Sequence, residues 1–124
     1  MGHSHTIKYD GKLLKVKASG KDYTAEDVLA YGKAIIEASI TYSCTAALLD
    51  EYDVEYALGT IDLYESAVFI SEMAPKIGRV AVVCKPQNHH DADFWGTVAV
   101  NRGLTVRVFK SLNEAEAWLQ QVTP

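Results

Sequence analysis

The sequence predicts an α/β domain: a five-stranded, mostly parallel sheet led by an antiparallel hairpin, with four helices in the order ββαβαβαβα. Two alternating segments flank Asp10-Gly11 near the start. Short continuous apolar runs at 45–50 and 79–85 are of the kind that suits strands covered on both faces. Segments of helical period separate these runs and recur after them.

Segments 6–10 and 12–18 set Ile7 and Tyr9, then Leu14, Val16 and Ala18, against Lys8, Lys15 and Lys17. Asp10 and Gly11 tolerate the positive φ of a two-residue type I′ turn. The lysines mark a half-exposed ribbon toward the sheet edge, where charge discourages pairing with other chains. Thr24 opens the first helix, with Glu26 and Asp27 at its positive end and Tyr23 stapled onto Val28. Its sheet-facing stripe is Val28, Tyr31, Gly32 and Ile35, widened by Leu29 and Ile36, and it runs to about Ser39.

The strand at 45–50 carries Ala46, Ala47, Leu48 and Leu49, and a long irregular connection over 51–61 is expected after it. A crossover helix over 62–74 places Leu63, Ala67, Ile70 and Ala74 on one face, with Pro75 and Gly78 as its exit. Beyond the strand at 79–85, a helix over 91–102 carries Phe94, Trp95, Val98 and Ala99, and Gly103 fits just past its end. A strand at 104–109 follows. Ser111 and Glu114 then make a capping box for a last helix whose stripe is Leu112, Ala115, Leu119 and Val122.

A chain of 124 residues suffices for a single domain, 1–124, with one core. Apolar residues at 48% and charged residues at 23% exclude a disordered or fibrous chain. A net charge of -4 and a pI near 5.5 argue against a nucleic-acid partner, because such binding draws its affinity from clustered Lys and Arg. No apolar stretch approaches the roughly 20 residues of a membrane helix. The opening residues lack the apolar region of a secretory signal, and Cys44 and Cys84 are the only cysteines. Reduced thiols and a cytoplasmic location are therefore expected.

In open α/β sheets, ligands sit at the carboxyl ends of the parallel strands, where loops enter helices. That rule selects Asp50, Tyr52, Tyr56, Thr60 and Asp62 in one connection and His89 and His90 in the next as ligand- or partner-binding candidates. Asp50 and Glu51 would do acid-base work if burial separated their pKa values; hydrogen bonding or solvation is the plainer role. Asn88-His89-His90-Asp91 with Asp93 offers donors suited to zinc or another transition metal. Adjacent histidines seldom reach one ion, however, and Asn88 or Asp91 as a helix cap accounts for the segment, so no metal or other cofactor is expected. Cys84 and His89 have the make-up of a thiolate-imidazole pair, against the reading of Cys84 as a buried apolar residue. Gly59-Thr60-Ile61-Asp62 sets a hydroxyl and a carboxylate at a helix start. There they cap the helix, or a phosphate added to Thr60 would be stabilised by the helix dipole. Walker A, GxGxxG and GxSxG patterns are absent.

The chain resembles the STAS-like superfamily, which takes in sulphate-transporter and anti-sigma-factor-antagonist domains and the related CRAL/TRIO lipid carriers. The resemblance is to its small bacterial branch. It rests on Ala47-Leu48-Leu49-Asp50, Arg79-Val80-Ala81-Val82-Val83, Asn101-Arg102-Gly103 before Val106-Arg107-Val108-Phe109, and Glu114-Ala115-Glu116-Ala117-Trp118-Leu119. In regulatory members, a phosphorylated serine or threonine after an aspartate, at the start of the helix that follows the central strand, controls partner binding. Thr60 and Asp62 occupy that region, although Gly-Thr-Ile-Asp stands where the family signature is Asp-Ser-(Ser/Thr)-Gly.

The resemblance implies a non-enzymatic regulatory or binding module that contacts a protein or small ligand through the loops at the strand carboxyl ends. One alternative is an apolar small-molecule or lipid carrier, which the tyrosines, Phe94 and Trp95 would suit. Another is a thiol- or metal-dependent enzyme. The tyrosines and the edge hairpin are also compatible with a homodimer.

Overall fold

Leu14, Val16 and Ala18 all point to one side of their strand, and that alternation decides which face of the sheet the helices cover. The computed structural model describes residues 3–22, 24–73 and 78–121. In it, β1 (His3–Tyr9), β2 (Leu14–Asp22), α1 (Ala25–Thr41), β3 (Ala46–Tyr56), α2 (Thr60–Met73), β4 (Arg79–Val83), α3 (His89–Asn101), β5 (Thr105–Phe109) and α4 (Leu112–Leu119) follow in the expected order. The strands form a five-stranded mixed sheet in sequential order. β1 pairs antiparallel with β2, and the remaining neighbours are parallel. Tyr23, Ala74, Pro75 and Val122, with the staple, helix end and stripe positions expected of them, lie outside the described residues.

The helices divide unequally between the faces. On one face, Leu14, Val16, Ala47, Leu49, Val80 and Val82 pack against Tyr31, Ile35 and Ile36 of α1, Ile70 of α2 and Ala99 of α3. On the other, Leu48, Ala81 and Val83 meet Ala115 and Leu119 of α4, with Leu13 beside them. Each face buries its own cluster, which is why the apolar runs of β3 and β4 are continuous.

At α1 and α4 the hydroxyls that the sequence indicates cap the helix starts. Thr24 Oγ1 accepts the Asp27 N-H at 3.2 Å, and Asp27 Oδ2 accepts the Thr24 N-H at 3.1 Å, so the α1 box closes through Asp27. Ser111 Oγ accepts the Glu114 N-H at 3.2 Å at the head of α4. Leu112, placed in the buried stripe by its spacing, is instead 41% exposed, while Ala115 and Leu119 are buried.

Three local expectations are corrected. The hairpin turn is wider than two residues: Tyr9 pairs with Leu14, and Asp10 Oδ1 accepts the Lys12 and Leu13 N-H groups at 2.9 and 2.8 Å. The aspartate side chain substitutes for a tight backbone turn and leaves Leu13 aimed at the α4 core. The long irregular connection is mostly strand, because β3 continues through Tyr56 alongside the C-terminal half of β2. The third long helix begins at His89 rather than Asp91, preceded directly by a 3-10 turn at Pro86–Asn88.

Candidate functional site

The extension of β3 carries a β-bulge that reorganises the site. Lys17 pairs with Asp50 and Ser19 with Asp53, so Glu51 and Tyr52 together occupy the interval opposite Ala18. Asp50 and Glu51 keep the alternation of the preceding residues, so they face opposite sides of the sheet and cannot act as a carboxylate pair on one substrate.

On the α4 side, Asp50 Oδ2 takes the Lys17 ammonium at 3.2 Å, and Asp53 shares that ammonium at 3.1 Å. Asp50 Oδ1 also accepts the Tyr52 N-H at 3.2 Å. The Tyr52 ring is exposed, with Lys85 Nζ 5.4 Å from its centroid. Lys21 and Glu55 continue this surface as a further ion pair at 3.4 Å. These are solvent-facing pairs of small energetic weight, and they neutralise the lysines that the sequence sets on one face of β2.

Tyr56 faces the other way. It packs against the core under α1, α2 and α3 and donates its hydroxyl hydrogen to Glu51 Oε1. Tyr31 of α1 also lies beside the Glu51 carboxyl. Burial pushes the Glu51 pKa upward, and the neighbouring Tyr56 and Tyr31 hydroxyls only partly oppose it. Burial, with Glu51 beside it, holds the Tyr56 phenol far above its ordinary value. Glu51 and Tyr56, with Tyr31 beside them, form a cluster at this end of the sheet in which burial shifts both the carboxyl and the Tyr56 phenol upward.

Thr60 and Asp62 stand in the first turn of α2, both exposed, with Ile61 between them 74% exposed. His89 is half-buried at the start of α3, with Nε2 3.3 Å from the Cys84 carbonyl oxygen, whereas His90 is exposed. The imidazole thus contacts the backbone of Cys84 and not its thiol. Burial, then the Glu51 charge, pushes the Cys84 thiol up to about 11, so it stays a thiol at neutral pH. The thiolate-imidazole arrangement is therefore not formed. Among the described residues, no group of three or more His, Cys, Asp and Glu side chains converges as a metal site.

Asn88 does not cap α3 with its side chain. Its Nδ2 instead donates to the Val54 carbonyl at 3.1 Å, tying the start of α3 to the extended part of β3. Glu51 and Tyr31 are the residues that reading the sequence underweights. The sequence pairs Glu51 with Asp50 and sets Tyr31 in the α1 stripe, and neither position marks the cluster.

Comparison with known proteins agrees with this layout. A family described as SpoIIAA-like matches residues 13–120. An anti-sigma factor antagonist from Mycobacterium paratuberculosis superposes with a TM-score of 0.67 at 18% identity, over 97% of this chain and 96% of that one. An uncharacterised protein with a SpoIIAA-like fold from Shewanella loihica gives a TM-score of 0.59 at 20% identity, over 95% and 94% of the two chains. No curated protein matches. No helix among the described residues is long and apolar enough to cross a membrane.

Proposed function

This chain belongs to the SpoIIAA-like family, and from that premise we propose that it is a regulatory protein-interaction module whose partner docks on the first turn of α2 and the adjoining start of α3. The observation that carries this reading is Ile61, a large aliphatic side chain 74% exposed between Thr60 and Asp62. Tyr64, one turn further along, is also exposed. An apolar side chain flanked by polar groups is the arrangement that protein interfaces desolvate on binding. Fold similarity to an anti-sigma factor antagonist supports a protein partner over a substrate.

Thr60 is the position at which a modification would control docking. Its hydroxyl is exposed at a helix start, so an added phosphate would meet the positive end of the α2 dipole and place about two negative charges beside Ile61. His90, exposed on α3, and the Asp50-Tyr52 surface complete the candidate contact area.

Cross-linking followed by mass spectrometry in cells producing the wild-type chain or Ile61→Asp, Thr60→Glu or Ile40→Asp tests the reading. Loss of the same cross-linked partner in the first two variants, with retention in Ile40→Asp, is the expected result. Ile40 is exposed at the far end of α1 and serves as the control. Identical partner profiles in all four proteins would remove this surface from consideration.

A further inference from the structure

Beneath α1, α2 and α3 lies a cavity of about 120 Å³, independent of the docking surface on α2. Its walls are apolar, from Ile35, Leu49, Leu63, Ile70 and Val82 among others, apart from Asp91 and the Tyr31-Glu51-Tyr56 cluster. Protein interiors seldom leave voids much larger than a water molecule, and an unfilled one costs stability. Two contacts keep its roof in place. Gly32 lets α1 approach α2 so closely that a Cβ there would lie 2.3 Å from Ile70 Cδ1. Trp95 Nε1 of α3 donates to Ser66 Oγ of α2 at 3.0 Å.

We propose that this cavity is a binding site for a compact, ring-sized apolar molecule carrying one hydroxyl group, with the hydroxyl held by the Glu51 carboxyl and the Tyr56 phenol. Size sets the first half of the class. An engineered apolar cavity of about 150 Å³ in another protein admits benzene, whereas sites for drug-sized ligands run to about 300 Å³ and above. A single six-membered ring is therefore the scale, and a lipid chain exceeds it. Chemistry sets the second half. The Glu51 carboxyl and the Tyr56 phenol present polar atoms in a largely apolar wall, and a hydroxyl, which both donates and accepts, can bond to them without bringing a charge into that space. An ammonium group would bring a charge into a space where burial disfavours charge.

The test compares phenol, toluene and benzylamine as probes on the full chain, followed by amide and indole NMR shifts and by melting temperature. Phenol should shift signals from Tyr31, Glu51, Tyr56 and Trp95, bind about tenfold more tightly than toluene, and raise the melting temperature. Glu51→Leu should erase the preference for phenol over toluene. Ala92→Phe, which fills the cavity from α3, should abolish binding of both. The wild-type comparison needs no variant to fold. Equal binding of phenol and toluene, stronger binding of benzylamine, or shifts confined to residues outside the cavity would each overturn the proposal.

Discussion

Tyr56 and Glu51 are five residues apart on one strand, yet both side chains point beneath the same three helices and share a hydrogen bond. In a regular strand an odd separation puts two side chains on opposite faces. The bulge opposite Ala18 inserts one residue between them and restores a common side. One irregularity in β3 thus creates the buried polar cluster, turns Asp50 and Asp53 toward Lys17 on the opposite face, and separates the cavity from the ion-paired surface.

The cluster gives folding a pH dependence of definite sign. The folded protein holds the Glu51 proton more tightly than the unfolded chain, where glutamate has its ordinary value of 4.5. The folded state therefore binds more protons above that pH. Stability from this group is full below 4.5 and is lost as pH rises through the raised folded value. Urea unfolding midpoints between pH 4.5 and 8 should fall more steeply for the wild type than for Glu51→Gln. A shallower fall in the wild type would show that Glu51 is ionised in the folded protein at low pH.

The thiols make a second measurable statement. Cys84 is fully buried with its pKa pushed up to about 11, and Cys44 is buried beside the Ala46 carbonyl. Thiolate is the reactive form, so roughly a thousandth of Cys84 is available even at pH 8. Neither cysteine should react with a disulfide reagent within minutes in the native protein, and both should react at once in urea. A rapid native reaction at Cys84 would reinstate thiol chemistry at this end of the sheet.

Much of the fold is legible in the residues because local signals agree with burial. Thr24 and Ser111 cap where their hydroxyls predict, and the continuous runs of β3 and β4 are the strands covered on both faces. The site was harder to read. After Leu49 the chain turns charged and aromatic, which resembles a loop, although Val54 and Tyr56 inward against Asp53 and Glu55 outward keep a period of two. Glu51 continues the inward positions of Ala47 and Leu49, and the odd separation between inward Leu49 and Val54 marks the bulge, but a charged residue at an inward position reads as the end of a strand. At α3 the preference of asparagine for helix caps misleads, because the Asn88 amide is engaged by the distant Val54 carbonyl.

The clamp between α2 and α3 is predicted to couple two residues across the helices. Ser66 is 1% exposed, accepts the Trp95 indole N-H, and donates to the Leu63 carbonyl at 2.9 Å. Trp95→Phe and Ser66→Ala each alter packing as well, so only a double-mutant cycle isolates the bond. Urea denaturation should give a coupling of about 1 kcal/mol. A coupling indistinguishable from zero would mean that the indole and hydroxyl are as well satisfied by water as by each other.

Gly78 leads into β4 with φ at +91°, and a Cβ there would lie 2.2 Å from the Thr45 carbonyl oxygen. That oxygen accepts the Arg79 N-H at 3.0 Å, next to where Ala46 and Arg79 begin the pairing of β3 with β4. An alanine therefore carries two costs: the left-handed backbone, and displacement of a backbone atom that starts the central strand pair. Gly103 supplies the control, because its φ is +103° but nothing lies within 4 Å of its Cβ position. Gly103→Ala should cost about 1–2 kcal/mol from conformation alone. Gly78→Ala should cost about 3 kcal/mol or more, since rigid neighbouring backbone must also move. Equal losses for the two variants in urea denaturation would show that the Thr45 carbonyl yields freely and does not pin the start of the β3-β4 pair.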